Sequence, residues 1–298
     1  MRIVVSGSSG LVGTALVAAL QDANHEVVRL VRGGRTISEG AASWDPQAGR
    51  LDPAVIAGCD AVINLNGSSI AGGRWTPRFK NELRTSRMDS TRTLVETIAA
   101  LDAPPRVMLS ASATGFYGDR GEELLCEKSA SGAGFLATLT RDWEQAALKA
   151  RSEKTRVVVL RLGMVVSRGG ALDKMLLPFK LGAGGPIGSG KQYWPWIAMD
   201  DVICAILFAL ESEALEGPVN LVSPRETRCR DFTSSLGRIL RRPAFLPLPA
   251  FAARLVLGEM ADGLLLASAR VQPRVLEEAG YPFRRPTIED ALRAALGR

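Results

Sequence analysis

The sequence predicts an α/β fold, a doubly wound parallel sheet with a smaller, mainly helical C-terminal region. Three observations support it. Short apolar runs alternate with amphipathic stretches through roughly the first half of the chain, the rhythm of repeated strand–helix–strand units. The stretch VSGSSGLVG, residues 5–13, sets glycines at 7, 10 and 13 between a strand and a helix. With 298 residues, 46% of them hydrophobic and 23% charged, the chain can bury one large α/β core and a companion.

Taken in order, Ile3–Ser6 reads as a strand, Leu11–Leu20 as a helix, and Val27–Val31 and Ala61–Leu65 as strands. A helix runs to about Ala99, Val107–Ser110 is a strand, a helix lies around Phe135–Ala150, and Val157–Leu160 is a further strand. Runs this rich in valine and isoleucine suit strands covered on both faces. Past Gly163 the texture changes, and GGALDKMLLPFKLGAGGPIGSGKQYWPW reads as loops around one helical turn. Asp200–Leu210 is a strong helix whose two leading acids, Asp200 and Asp201, suit a cap. Asn220–Val222 reads as a strand, and from Pro243 the chain is helical with proline punctuation. The expected division is 1–162 for the dinucleotide-binding domain, with strand returns near 195–222, and 163–298 for the substrate side, including a cap over about 245–298.

Composition excludes several classes. The net charge is +6, yet no run of five like charges occurs, so nucleic acid is not an expected partner. Four separated cysteines without a C-x-x-C pair suit reduced thiols and a cytoplasmic setting. The longest apolar run, Val202–Leu210, is too short to span a bilayer, and no membrane partner is expected. The single histidine, His25, sits in a turn, which argues against a histidine-activated nucleophile or a histidine-rich metal site, and no metal is expected.

The glycine loop points to a dinucleotide. Gly7 permits the tight turn, Gly10 lets backbone approach a pyrophosphate, and Gly13 lets helix and sheet pack closely. Backbone N–H groups from Ser9 through Leu11 and Val12 then face the anion. At the end of the second strand, where an acid would bind a free ribose 2′-hydroxyl, the chain reads Leu30-Val31-Arg32-Gly33-Gly34-Arg35. A guanidinium matches a 2′-phosphate, so NADP is the expected cofactor, with Arg32 the principal contact and Arg35 a secondary one. The bland alternative for Arg32 is a solvated surface arginine. Asn66 and Gly67 are expected near the cofactor ribose, and Ser110 belongs with the same contacts. Arg87 either meets a phosphate or pairs with an acid on its own helix face.

The G-x-x-G-x-x-G spacing resembles that of extended short-chain dehydrogenase/reductases. The likeness sharpens at Val62–Gly67 with Ile70–Trp75, at Thr85-Ser86-Arg87 with Ser90-Thr91-Arg92, at SASATGFYG (110–118), at Arg141-Asp142-Trp143-Glu144 and at GSGKQYWPWIAMDD (188–201). Together these resemble an atypical member of that superfamily, the group described as epimerase family proteins, nucleoside-diphosphate-sugar epimerases or SulA-like cell division inhibitors. From about Pro247, including Leu257-Gly258-Glu259 and Gly280-Tyr281, the chain is similar to that group's small C-terminal domain of unknown function.

The resemblance implies a Rossmann fold and a serine acting with Tyr-x-x-x-Lys on the next helix. Ser112 fits the serine, but the tyrosine and lysine positions fall at about Leu136 and Thr140, and neither titrates. Tyr117, in the Phe116-Tyr117-Gly118 turn, is the remaining candidate proton donor; no lysine at helical spacing lowers its pKa from about 10. Its alternative is to shape the pocket beside the nicotinamide. The resemblance also places Arg161 in a substrate pocket, and Lys191 and Gln192 beside a substrate anion. Ala198 stands where the group has a histidine. Two functions follow. One is an NADP-dependent oxidoreductase or epimerase acting on a small polar substrate such as a nucleotide sugar. The other is a non-catalytic NADPH-binding sensor or interaction protein.

Overall fold

The computed structural model describes residues 1–33 and 39–298. The first part of the chain runs β1 (Arg2–Ser6), α1 (Leu11–Asp22), β2 (Glu26–Arg32), β3 (Ala41–Trp44), α2 (Pro53–Ile56), β4 (Ala61–Asn64), α3 (Pro77–Ala99) and β5 (Val107–Ala113). A 3₁₀ turn, Thr114–Tyr117, leads to β6 (Leu124–Leu125), α4 (Phe135–Leu148), β7 (Arg156–Leu162), β8 (Met164–Val166), α5 (Ala171–Lys180), β9 (Trp196–Ala198), α6 (Met199–Glu211) and β10 (Gly217–Leu221). The last part holds α7 (Cys229–Leu240), α8 (Ala250–Leu257), β11 (Arg270–Val271), α9 (Arg274–Glu278) and α10 (Ile288–Leu296).

Seven strands form the central sheet in the order β10-β7-β5-β4-β1-β2-β3. β1 pairs in parallel with both β2 and β4, and β2–β3 and β4–β5 are parallel as well. The chain winds outward from β1 in one direction and from β4 in the other. That reversal is a topological switch point, where the C-terminal ends of two neighbouring strands feed loops that diverge and leave a crevice for a ligand. The expected doubly wound sheet is therefore present.

The described chain divides into two compact units, Met1–Ser112 with Arg141–Leu160 and Ile206–Val219, and Ala113–Thr140 with Arg161–Ala205 and Asn220–Arg298. In the first, Val4, Val62, Met108, Val157 and Val159 pack with Leu94 and Ile98 of α3. Local chemistry sets the start of α3, and its end at Ala99 is the expected one. Pro77 occupies the first turn, where its missing N–H is no loss, and the Thr76 hydroxyl accepts from the Phe79 N–H at 3.2 Å.

In the second unit β8 and β9 form a parallel pair. Trp194, Trp196, Phe232 and Leu236 pack there with Leu172, Leu176 and Phe179, and with Ile288 and Leu292 of α10. Four elements here differ from expectation. α5 is a ten-residue helix, not one turn: Leu172, Leu176 and Phe179 recur on one buried face, although Pro178 inside it forgoes one backbone hydrogen bond. α7 was hidden by its polar residues, and the short β8 and β9 by the glycines and prolines between them. In the first unit β3 was also missed, since AASW carries little strand signal.

Asp200 and Asp201 have different duties. Asp200 meets Arg285 at 3.3 Å on the surface. Buried Asp201 accepts the backbone N–H groups of Arg284 and Arg285 at 2.7 and 2.8 Å and lies 3.2 Å from the Tyr281 hydroxyl, so it fastens the C-terminal segment to α6. Asp201→Ala should leave those donors unsatisfied at a cost of about 2–3 kcal/mol. Calorimetry should show a melting temperature roughly 3–5 °C lower. Asp200→Ala should shift it by about 1 °C or less.

Candidate functional site

The turn after β1 is shaped by space. Gly7 has a φ of +74°, and a Cβ there would lie 2.6 Å from the Leu65 carbonyl carbon at the end of β4. A Cβ on Gly13 would lie 2.2 Å from the Gly7 carbonyl oxygen. Both positions therefore exclude any side chain, and α1 sits directly on the turn. Gly10 is the N-cap of α1 and supplies no side-chain cap, and the first turn holds no acid. Ser9, Gly10 and Leu11 are exposed. The helix thus presents uncapped N–H groups and its positive end beside an open surface, a cradle suited to a pyrophosphate.

Arg32 ends β2 as an exposed side chain. With Trp44, Asp45, Pro46 and Arg50 it lines an open pocket of about 980 Å³. Asp45 receives the Arg50 guanidinium at 3.0 Å, and this hydrogen bond holds its carboxyl below the usual range. Trp44 is buried, and its indole N–H has no hydrogen-bond partner among the described residues. Arg35 lies outside the described residues.

Beneath the strand ends lies a polar network that motif reading did not single out. Asn64, fully buried at the end of β4, donates through Nδ2 to Thr91 Oγ1 at 2.9 Å and to Ser110 Oγ at 3.3 Å. Its Oδ1 accepts from Ser6 Oγ at 3.0 Å and from Asn66 Nδ2 at 3.2 Å. Thr91 also accepts from the Trp143 indole at 2.9 Å. Ser110 and Asn66 are thus brought together through Asn64. The available sequence signal was a polar residue closing the apolar run Ala61-Val62-Ile63.

Arg87 is turned to backbone carbonyls, not to an acid on its own helix face. It is buried on α3, donates to the Leu83 and Ser68 carbonyls at 3.0 and 3.2 Å, and lies 5.0 Å from the Trp143 ring centroid. It therefore pins the loop after β4, where a Gly67 Cβ would come within 2.9 Å of its guanidinium carbon. Burial pulls its pKa down to about 10.

Ser112 closes the β5 run, and its hydroxyl donates to Glu144 Oε1 of α4 at 2.6 Å. Both side chains are buried, at 3% and 6% exposure, so the pair is shielded from bulk water. Glu144 is the functional candidate that sequence reasoning missed. It lies two helical turns beyond Leu136 and one beyond Thr140, whose hydroxyl is turned to the Leu136 carbonyl at 2.7 Å.

Within the second unit, Tyr117 is not placed as an accessible acid. It is fully buried. Its hydroxyl donates to Asn220 Oδ1 at 2.7 Å and accepts from Arg161 at 3.0 Å. Burial pushes its pKa up to about 12 despite the nearby guanidinium. Arg161, 3% exposed, also donates to the Glu127 carbonyl and lies 3.6 Å from the Phe116 ring centroid. Glu127 in turn accepts the N–H groups of Asn220 and Val275 through Oε1, while burial raises its pKa. Gln192 is committed as well, since its amide nitrogen donates to the Ile187 and Leu265 carbonyls at 2.9 Å each. Lys191 is exposed. Among the described residues no cluster of metal-ligating side chains occurs, and no helix is long and apolar enough to cross a membrane.

A doubly wound sheet with a glycine turn at its switch point and an uncapped helix behind it defines a dinucleotide-binding protein of the Rossmann class. Residues 3–221 match the NAD dependent epimerase/dehydratase family, and residues 248–295 match a domain of unknown function, DUF1731. The chain belongs to this epimerase family. It is 42% identical over 297 residues to Epimerase family protein Mb2239 of Mycobacterium bovis, covering 99% of this chain and 98% of that one. It is 38% identical over 298 residues to the mouse Epimerase family protein SDR39U1, covering 98% and 99%. Among solved structures, the human epimerase family protein SDR39U1 (isoform2) with NADPH superposes with a TM-score of 0.91 at 34% identity over the full length of both chains.

Because Tyr117 is pushed up to about 12, its contribution to stability is complete below the unfolded value of about 10 and is lost as pH rises toward 12. Ultraviolet titration of the wild type against Tyr117→Phe should assign to this residue a tyrosinate step near pH 12. A Tyr117 step near pH 10 would show an exposed phenol instead.

Proposed function

We propose that the protein binds NADP(H) on its first unit and transfers hydride to or from a small polar substrate of the nucleotide-sugar class, as an oxidoreductase or epimerase. Support for the cofactor comes from the Gly7–Gly13 cradle, from exposed Arg32 and from the human relative's NADPH. Ser9 to Gly13 would hold the pyrophosphate through backbone N–H groups. Arg32 would hold the 2′-phosphate, and Asn66 and Gly67 would stand at the ribose. When bound, the nicotinamide supplies the hydride chemistry.

The observation that carries catalysis is the Ser112 hydroxyl donating to Glu144 at 2.6 Å. With its own proton engaged, Ser112 Oγ presents lone pairs and accepts a hydrogen bond from a substrate hydroxyl. As that hydroxyl loses its proton to Oγ, the serine proton moves to Glu144 Oε1; reduction runs the same path in reverse. A buried serine–carboxylate pair thus takes the duty that tyrosine and lysine perform in the wider superfamily. Tyr117 and Arg161 hold the second unit's interior.

The alternative is a non-catalytic NADPH sensor, favoured by Leu136 and Thr140 at the tyrosine and lysine positions and by the internal use of the Tyr117 hydroxyl.

Calorimetric titration should give tight NADPH binding and weak NADH binding. Arg32→Glu should weaken NADPH about 30-fold or more while sparing NADH, the loss of a charge-assisted phosphate contact.

For catalysis, NADPH oxidation is to be followed across a panel of keto and nucleotide sugars. Ser112→Ala and Glu144→Gln should each lower turnover by about 10²–10⁴-fold with NADPH affinity kept within about twofold. Unchanged turnover in either variant would remove the pair from the mechanism. NADPH binding without turnover anywhere in the panel would favour the sensor.

A further inference from the structure

We infer that the surface formed by the end of α5, residues 243–248 and α8 is a peripheral docking site for an anionic lipid bilayer. Among the described residues, every large apolar side chain at least 65% exposed lies here: Leu177, Leu181, Phe245, Phe251, Leu255 and Val256. The surface is continuous along the backbone. Leu246 N–H donates to the Gly184 carbonyl, Leu248 N–H to the Pro186 carbonyl and Gly188 N–H back to Leu248, so residues 184–188 and 246–248 run side by side. α8 begins two residues later. A monomer's surface rarely gathers so much apolar area without a partner.

Charge names the partner. From Lys174 to Met199 and from Arg241 to Gly258 the sequence contains no aspartate or glutamate, yet those stretches carry Lys174, Lys180, Lys191, Arg241, Arg242 and Arg254. Arg254 is paired with Asp262 at 2.9 Å, whereas Lys180, Arg241 and Arg242 are exposed beside the apolar residues. A basic rim around projecting Phe and Leu side chains is the composition that settles into the headgroup region of anionic membranes. A second copy fits less well, because an isologous contact would set like charges against each other. Side chains 65–77% exposed project from the surface, as insertion requires, rather than forming a recess for a protein's anchor residue. Pro243, Pro247 and Pro249 further limit strand pairing with a partner chain. Among the described residues no helix can span a bilayer, and surface docking needs none.

Co-sedimentation of the full chain with vesicles tests this directly. Vesicles containing phosphatidylglycerol should pellet the protein, and pure phosphatidylcholine should pellet at least about tenfold less. Raising the salt should weaken the binding. Arg241→Glu with Arg242→Glu, and separately Phe251→Ser with Leu255→Ser, should each reduce pelleting about tenfold or more, with NADPH affinity and melting temperature kept as controls of folding. Failure of the wild-type chain to pellet with phosphatidylglycerol vesicles while it still binds NADPH would overturn the docking site and leave the cofactor reading standing. Absent pelleting together with a dimer in light scattering that Phe251→Ser abolishes would assign the surface to a second copy. Absent pelleting from a monomer would reject lipid in favour of an acidic protein. Equal binding by wild type and both variants would place the lipid contact elsewhere.

Discussion

The Gly7 carbonyl occupies the space that a side chain on Gly13 would need, and the first unit's ligand-facing geometry depends on that contact. It lets α1 start immediately behind the turn, with its positive end at the switch point of the sheet. On the other side, Gly7 is pressed against the backbone at the end of β4. One close approach thus sets where β1, α1 and the loop after β4 meet. A methyl group at either glycine would push the helix from the sheet and tilt the anion cradle with it.

Asn64 extends this registration beneath the crevice. Its amide joins β1 through Ser6, β5 through Ser110 and α3 through Thr91, while the Trp143 indole ties in α4. Inside a protein such a network is stabilising only when each member is satisfied, and the same condition fixes the side-chain directions. Ser112, two residues beyond Ser110, and Glu144, beside Trp143, inherit their placement from it. Their 2.6 Å contact is therefore positioned by the network next to it, not by a flexible loop.

The fold could be read because strands covered on both faces leave plain apolar runs and because the glycine turn is local. Val107–Ser110 was recognisable for the first reason, and the helix over Asp200–Leu210 by its two leading acids and the apolar run behind them. α5 was not, since its proline and glycine neighbours mask the Leu172, Leu176, Phe179 repeat. At the site, Ser112 was legible through the family resemblance, whereas Glu144 was not, because a single glutamate on a helix looks like a solvated one until its burial is known. Tyr117 misled in the opposite direction. A tyrosine near a strand end resembles a proton donor, but its hydroxyl is committed to Asn220 and Arg161, which are 103 and 44 residues away in sequence. Long-range hydrogen bonds of that kind leave no local trace.

The chain enters the first unit three times, the last visit being residues 206–219, which contribute the C-terminal part of α6 and the start of the edge strand β10. During synthesis, the glycine turn and its sheet neighbours emerge early but wait for more than half of the polypeptide before that unit can close. The second unit is likewise assembled from three segments, so no single cut releases either as an independent piece. Contacts so distant in sequence slow folding. The arrangement makes production of a complete nucleotide platform contingent on synthesis of much of the other unit, and a truncated product would expose unfinished sheet to the quality-control machinery of the cell.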